Sequence, residues 1–295
     1  MKRCGYVAIL GRPNVGKSTL LNRMLGQKVS ITSKKPQTTR HQLLGIKTTK
    51  GCQVLYVDTP GIHGEEPRAI NRYMNRSALS VIRDMDVVLF MLDRTAWTSD
   101  DQKVADALSR FSGKLIIAMN KIDQLKKKND LLPVLQGLQQ TFSEAELIPV
   151  SAVTGENVAE LESLISQHIP EGPFFFPDDQ ITDKSERFMV AETVREKLTR
   201  QLGEEIPYVL TIQVDRFEAG DKVTEIDVTI FVEKDGQKAI LIGKKGERLK
   251  QIGIDARRDI EELLGTKVML TTWVKVKSGW SDDDRALKSL GYTDV

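Results

Sequence analysis

The chain has 295 residues, roughly twice a typical domain, so two domains that can each bury a core are the starting expectation. Apolar residues make up 40% and charged residues 28%, which excludes a disordered or fibrous chain. A net charge of +2 excludes a molecule that grips nucleic acid over its whole surface, so any such binding must be local.

The amino terminus passes from a short basic start straight into an apolar run, YVAIL, which leaves no room for a signal peptide. No window reaches about 18 uninterrupted apolar residues, so a cytoplasmic protein is expected, with attachment to a membrane surface left open. Cys4 and Cys52 have no metal-ligand spacing, which suits a reducing compartment. From residue 6 to about 168, the apolar runs YVAIL, VLYVD, VVLFML, KLIIAMN and LIPVS alternate with stretches of helical period. That alternation predicts an α/β domain with a mostly parallel sheet covered on both faces.

Directly after YVAIL stands GRPNVGKST: Gly11, Arg12, Pro13, Asn14, Val15, Gly16, Lys17, Ser18 and Thr19. It matches the P-loop pattern between a strand and a helix, where bare glycine backbone wraps phosphate oxygens and the helix dipole favours their charge. Lys17 is expected at the β- and γ-phosphates and Ser18 on Mg2+. Asn14 suggests a further contact to K+ against the phosphates, as in some related GTPases; the alternative is an asparagine that caps the loop.

The next polar segment, SITSKKPQTTRH, is of the kind ordered by a γ-phosphate and its metal. Chemistry does not separate Thr39 from the adjacent Thr38 as the metal-ligating hydroxyl, and position relative to Pro36 and Arg40 in related GTPases favours Thr39. VLYVD then runs into DTPG: Asp58, Thr59, Pro60 and Gly61, with Ile62 following. Asp58 at a strand's carboxyl end is placed to hold Mg2+ through water, and the Gly61 N–H to meet the γ-phosphate. Ile62 stands where Ras-like GTPases carry a water-orienting glutamine, so slow intrinsic turnover is expected, supported by Lys17, Thr39, Asp58, Gly61 and Asn14. His63 is a further candidate for positioning water.

KLIIAMN ends in NKID, which brings Asn120, Lys121 and Asp123 to the ligand edge of the sheet. A carboxylate at Asp123 accepts from both N1–H and the exocyclic amine of guanine, and adenine would leave it unpaired. In SAVTG, Ser151 and Ala152 complete the base pocket, with the Ala152 N–H expected to donate to guanine O6. The four motifs in order are the signature of a translation-factor-related GTPase domain.

Near residue 169 the text becomes IPEGPFFFPDDQIT, and the prolines and acidic residues end the periodicity. The expected division is residues 1–169 for the GTP-binding domain, 170–183 for a linker, 184–280 for an α+β module and 281–295 for a tail helix. The module reads helix, strand, strand, G-x-x-G, helix, strand, the order of a type II KH domain. Its loop, Gly243, Lys244, Lys245 and Gly246, follows Ile242 and precedes Arg248 and Lys250. Glycines allow close approach to a sugar-phosphate backbone and the basic side chains supply charge, so RNA contact is expected here. The alternative is a signalling GTPase whose KH-like module docks a protein. Trp280 in the closing segment is read either as a base-stacking ring or as packing.

With these residues in hand, the chain resembles the Era family, bacterial GTPases with a type II KH domain. GRPNVGKSTLLN, PQTTRH, DTPGIH, NKID, SAVTGEN, IGKKG, VKSGW and DDDRALKSLGY stand in that order along essentially its whole length. The resemblance implies that the bound RNA is the 3′ end of small-subunit ribosomal RNA, that the protein assists small-subunit maturation, and that it associates peripherally with the inner membrane. A monomer is expected.

Overall fold

A computed structural model describes residues 1–35, 37–62, 68–203 and 206–292. The amino-terminal region builds one six-stranded sheet from β1 (Arg3–Leu10), β2 (Leu43–Thr49), β3 (Cys52–Asp58), β4 (Val87–Asp93), β5 (Lys114–Asn120) and β6 (Glu146–Pro149), in the order β2-β3-β1-β4-β5-β6. Every pairing is parallel except that of β2 with β3. β2, the segment LLGIKTT, is the strand that the list of apolar runs lacks: as an edge strand with an exposed polar end it carries no continuous apolar signal.

Alternation along β1 sends its side chains into two separate cores. Val7 and Ile9 meet Leu20, Leu21 and Met24 of α1 (Lys17–Leu25) and Leu161 and Ile165 of α5 (Val158–His168). Ala8 and Leu10 on the other face meet Ala78 of α2 (Ala69–Ser80), Val104 and Leu108 of α3 (Ser99–Leu108) and Leu138 of α4 (Leu132–Thr141). The carboxyl ends of the parallel strands therefore all open on one edge, where the P-loop, DTPG and NKID segments emerge.

Residues 170–183 run back along the first domain. Gln53 of β3 receives the N–H groups of Phe175 and Phe176 at 2.9 and 3.0 Å, and the Ile46 N–H donates to the Ile181 carbonyl at 2.7 Å.

The second region packs α6 (Glu186–Gln201) and α8 (Glu247–Leu264) on a three-stranded sheet of β7 (Thr211–Ala219), β8 (Val223–Val232) and β9 (Lys267–Val276). β7 and β8 are antiparallel and β8 and β9 parallel. Alternate residues of β8, Ile226, Val228, Ile230 and Val232, are fully buried against Val194 and Leu198 of α6 and Ile252, Ala256 and Ile260 of α8. A short helix, α7 (Asp235–Ile242), precedes the glycine loop where the sequence reading has only an apolar segment. Gln237 makes its start possible by accepting the N–H groups of Glu233 and Lys234 at 2.9 and 3.0 Å. The tail helix α9 (Asp284–Ser289) is capped by Asp283, whose carboxylate accepts the N–H groups of Arg285 and Ala286.

Candidate nucleotide site and its link to the second domain

The P-loop leaves β1 at Gly11 and enters α1 at Gly16, whose φ of +103° is left-handed, a conformation that glycine adopts without strain. A Cβ on Gly16 would lie 2.3 Å from the Asn120 amide, and one on Gly61 would lie 2.8 Å from Pro13. These two glycines let the NKID and DTPG loops close on the P-loop. Asn14 also has a positive φ, +63°, which asparagine tolerates, and its exposed side chain has no hydrogen bond among the described residues.

Lys17 is 6% exposed and donates to the carbonyls of Gly11 and Arg12 at 2.9 and 3.1 Å, and burial pushes its pKa down to about 8. Two hydroxyls bond Asp58 and a third joins them through Ser18. Ser18 Oγ and Ser30 Oγ donate to Oδ2 at 2.7 and 2.8 Å, and Thr39 Oγ1 lies 2.9 Å from Ser18 Oγ. The other oxygen, Oδ1, is buried with no partner, and burial raises the carboxyl pKa against the pull of Lys17. An unsatisfied carboxylate oxygen beside two hydroxyls is a donor set for a hard divalent cation. Among the described residues no group of three His, Cys, Asp or Glu side chains offers an alternative metal site.

The structure separates the two switch threonines. Thr38 Oγ1 turns back to the Lys35 carbonyl at 2.6 Å, while Thr39 faces Ser18 and Asp58. Ile62 is buried in the core beneath α2, so its side chain is held away from the cleft. Pro36, used to place the switch threonine, and His63, the candidate for positioning water, lie outside the described residues.

At the base-reading side, Asn120 braces two loops at once. Its amide nitrogen donates to the Val15 carbonyl at 2.7 Å and its oxygen accepts the Ala152 N–H at 2.9 Å. The Ala152 N–H, expected at guanine O6, is here held by Asn120, which spans from the P-loop to the SAVTG turn. Asp123 is exposed, and its Oδ1 accepts from Ser151 Oγ at 2.6 Å. Lys121 donates to Asp93 Oδ2 at 2.7 Å. Arg12 in the P-loop pairs with Asp101 at 3.1 Å and approaches the same Asp93 oxygen at 3.7 Å. Asp93 at the end of β4 thus joins the P-loop to the NKID loop, and no motif in the sequence singles it out.

In the second domain, Gly243 and Gly246 have φ of +73° and +80°, and Lys245 between them has +51°. A Cβ on Gly243 would lie 2.8 Å from Cβ of Arg248. Lys244, Lys245 and Lys250 are exposed, whereas the Arg248 guanidinium donates to the Ile240 carbonyl at 2.6 Å and so closes the end of α7. Ile242 stands at the last position of α7, half-buried, beside the fully buried Leu241.

The switch segment is tied directly to this second domain. Arg40 is 1% exposed and donates to the carbonyls of Pro207 and Leu210 at 2.6 and 2.7 Å and to the Tyr292 hydroxyl at 3.2 Å. Arg195 of α6 donates to the Thr38 carbonyl and pairs with Glu192. Glu196, fully buried, accepts from the Thr32 N–H at 2.9 Å and pairs with Lys28. His41 stacks on Tyr292 at 4.5 Å, and burial lowers its pKa to about 4 despite Glu192 nearby, so the ring is neutral. Trp280 is fully buried against Ile70, Tyr73 and Met74 of α2 and donates to the Val209 carbonyl at 3.2 Å. Its role is packing, and the base-stacking alternative falls.

A family model described as 50S ribosome-binding GTPase matches residues 6–121, and a KH domain model matches residues 205–281. The chain is 58% identical over 293 residues to GTPase Era of Pseudomonas putida strain W619, covering 99% of this chain and 98% of that one. GTPase Era of Pseudomonas entomophila is 57% identical over the same length.

The chain belongs to the Era family.

It is a GTPase with a P-loop domain and a KH domain. An Era crystal structure in complex with MgGDPNP and nucleotides 1506–1542 of 16S ribosomal RNA superposes with a TM-score of 0.96 at 38% identity, over 99% of this chain and all of that one. A variant of Aquifex aeolicus Era bound to GDP and AlF4− superposes with 0.95 at 38% identity, over 99% of both chains. Among the described residues no helix is long and apolar enough to cross a membrane.

Family membership locates the motifs, and Arg40 stands in one of them, PQTTRH; Ser30, Asp93 and Glu196 lie outside the motifs that carry the resemblance. Arg40 is legible in the sequence only as a landmark beside the switch threonines, since its partners lie 167 to 252 residues away.

Proposed function

We propose that the chain is a GTP-driven switch that grips the 3′ end of small-subunit ribosomal RNA with its KH loop and assists processing of that RNA and assembly of the small subunit. The observation that carries this reading is the switch segment itself: Thr39 faces the Ser18–Asp58 cluster while Arg40, next in the chain, is buried in contacts to the second domain. A γ-phosphate that orders Thr39 therefore acts on a segment already fastened to the KH module.

In this reading Lys17 and the P-loop backbone from Gly11 to Thr19 hold the phosphates, and the DTPG segment from Asp58 to Gly61 closes on them. Ser18 and Thr39 ligate Mg2+, with Asp58 acting through water, and the ion neutralises phosphate charge. Asn14, exposed at the cleft, is free to contact K+. Asp123 reads guanine, with Asn120, Lys121, Ser151 and Ala152 shaping its pocket. Ile62 has no group with which to orient water, so unassisted hydrolysis is slow.

Gly243, Lys244, Lys245 and Gly246 hold the RNA backbone, with Ile242, Arg248 and Lys250 around them. The matching Era complex supports this reading, since that protein is described with MgGDPNP and the 1506–1542 segment of 16S ribosomal RNA. We further propose the domain limits 1–169, 170–183, 184–280 and 281–295, a cytoplasmic monomer, and peripheral attachment to the inner membrane.

The test is affinity for that RNA segment in wild type and in K244E/K245E. A large loss with GTP hydrolysis intact supports the KH loop as the RNA clamp. Unchanged RNA affinity rejects it and favours a module that docks protein.

A further inference from the structure

A second concave surface lies away from the nucleotide cleft, between the carboxyl ends of α2 and α3. It is a groove of about 640 Å³ lined by Leu79, Ile82, Met85, Ala107 and Phe111, with Arg83 and Arg110 also in its wall. Leu79, in the last turn of α2, is 39% exposed, a large apolar side chain presented to solvent. The Phe111 ring is fixed by its neighbour: a Cβ on Gly113 would meet the ring at 2.4 Å, so bare glycine backbone is what lets it lie there.

The charged side chains in the wall of this groove have one sign. Arg83 and Arg110 are exposed, and among the described residues neither pairs with a carboxylate. Among the described residues no acidic side chain lines the groove. Of the acids near it in the chain, Asp86 accepts the Tyr6 N–H at 2.8 Å, Asp106 accepts from Gln102 at 2.8 Å, and Asp84, exposed beside Arg83, lies outside the groove wall. Lys114, at the end of the loop, is matched by Glu146.

We propose that this groove docks a short acidic peptide segment of a partner protein, with an apolar side chain seated on Ile82, Met85 and Phe111 between carboxylates that pair with Arg83 and Arg110. Charge complementarity selects the occupant's sign, and the apolar floor selects peptide over nucleic acid, whose phosphates would use the arginines and leave the floor unfilled. The described part of the chain's tail lies elsewhere, because Tyr292 is held by His41 and Trp280 near the first turns of α2.

The experiment is a fluorescence-anisotropy titration of the full chain with a labelled peptide of glutamates and aspartates carrying one leucine and one phenylalanine. A peptide with serine at both apolar positions and an oligouridine of equal charge serve as competitors. Binding of the first peptide should weaken by about tenfold or more with the serine version and in R83E/R110E, with the GTP hydrolysis rate unchanged. Three results would overturn the proposal: equal peptide affinity in wild type and R83E/R110E, stronger competition by oligouridine than by the serine peptide, or a concentration-dependent dimer in sedimentation that R83E/R110E abolishes.

Discussion

Thr39 and Arg40 are neighbours in the chain whose side chains serve different domains: the Thr39 hydroxyl lies 2.9 Å from Ser18 Oγ, while the Arg40 guanidinium lies 2.6 and 2.7 Å from the carbonyls of Pro207 and Leu210. The two residues share one peptide group, so a shift of the backbone at Thr39 displaces the point from which Arg40 reaches the second domain. Arg40→Ala removes the donor to two carbonyls in a site where Arg40 itself is 1% exposed. The expected loss of stability is about 3 kcal/mol or more, because buried polar groups are left unpaired. Arg40→Lys keeps the charge but not the fork, and should fall between the two. Denaturant unfolding checks the order, and in both variants the effect of GTP on RNA affinity should shrink.

Asp123→Asn tests the base reading by reversing one hydrogen bond. The amide donates where the carboxylate accepts, so the exocyclic amine of guanine loses its partner and the carbonyl of xanthine gains one. GTP affinity should fall roughly a hundredfold or more while XTP affinity rises. Competition binding with the two nucleotides gives the answer directly.

Asp93 accepts from Lys121 at 2.7 Å and lies 3.7 Å from Arg12. Asp93→Asn keeps the shape and removes the charge that holds both loops. Faster GDP release, by about tenfold, is expected from the loss of a partly buried charged hydrogen bond, with little change in the single-turnover hydrolysis rate. Stopped-flow release of a fluorescent GDP separates the two effects.

Lys244→Ala and Lys245→Ala each remove one exposed cation from the loop between Gly243 and Gly246. If each contacts one phosphate, the slope of log affinity against log salt should shrink by about 0.7 per substitution on single-stranded RNA. An unchanged slope would mean that these lysines do not touch the backbone.

The parts legible in the sequence are those whose chemistry is local in the chain. The P-loop, DTPG and NKID each occupy a few consecutive residues at a strand end, so Gly16, Lys17, Asp58 and Asp123 can be named from spacing alone. β2 was hidden because an edge strand reading LLGIKTT has neither a continuous apolar run nor clean alternation. α7 was hidden because it spans only 8 residues, with Gly236 inside it, and depends on the Gln237 cap for its start. The fastening of the two domains is the least legible part. Arg40 stands in the PQTTRH motif and Arg195 and Glu196 in ordinary sequence surroundings, and the burial of all three follows only from contacts across more than 150 residues. The same holds for Trp280, whose seat on α2 is formed by Ile70, Tyr73 and Met74.

In the proposed switch, nucleotide state reaches the KH loop through the segment that holds Thr39 and Arg40. The most direct test is the affinity of the full chain for the 1506–1542 segment of 16S ribosomal RNA, measured at fixed salt with a non-hydrolysable GTP analogue and with GDP, in wild type and Arg40→Ala. Tighter binding with the analogue in wild type, lost in Arg40→Ala, is the predicted result. Equal affinity in the two nucleotide states of wild type would contradict it and leave the domains as a GTPase and an RNA clamp that share only a linker.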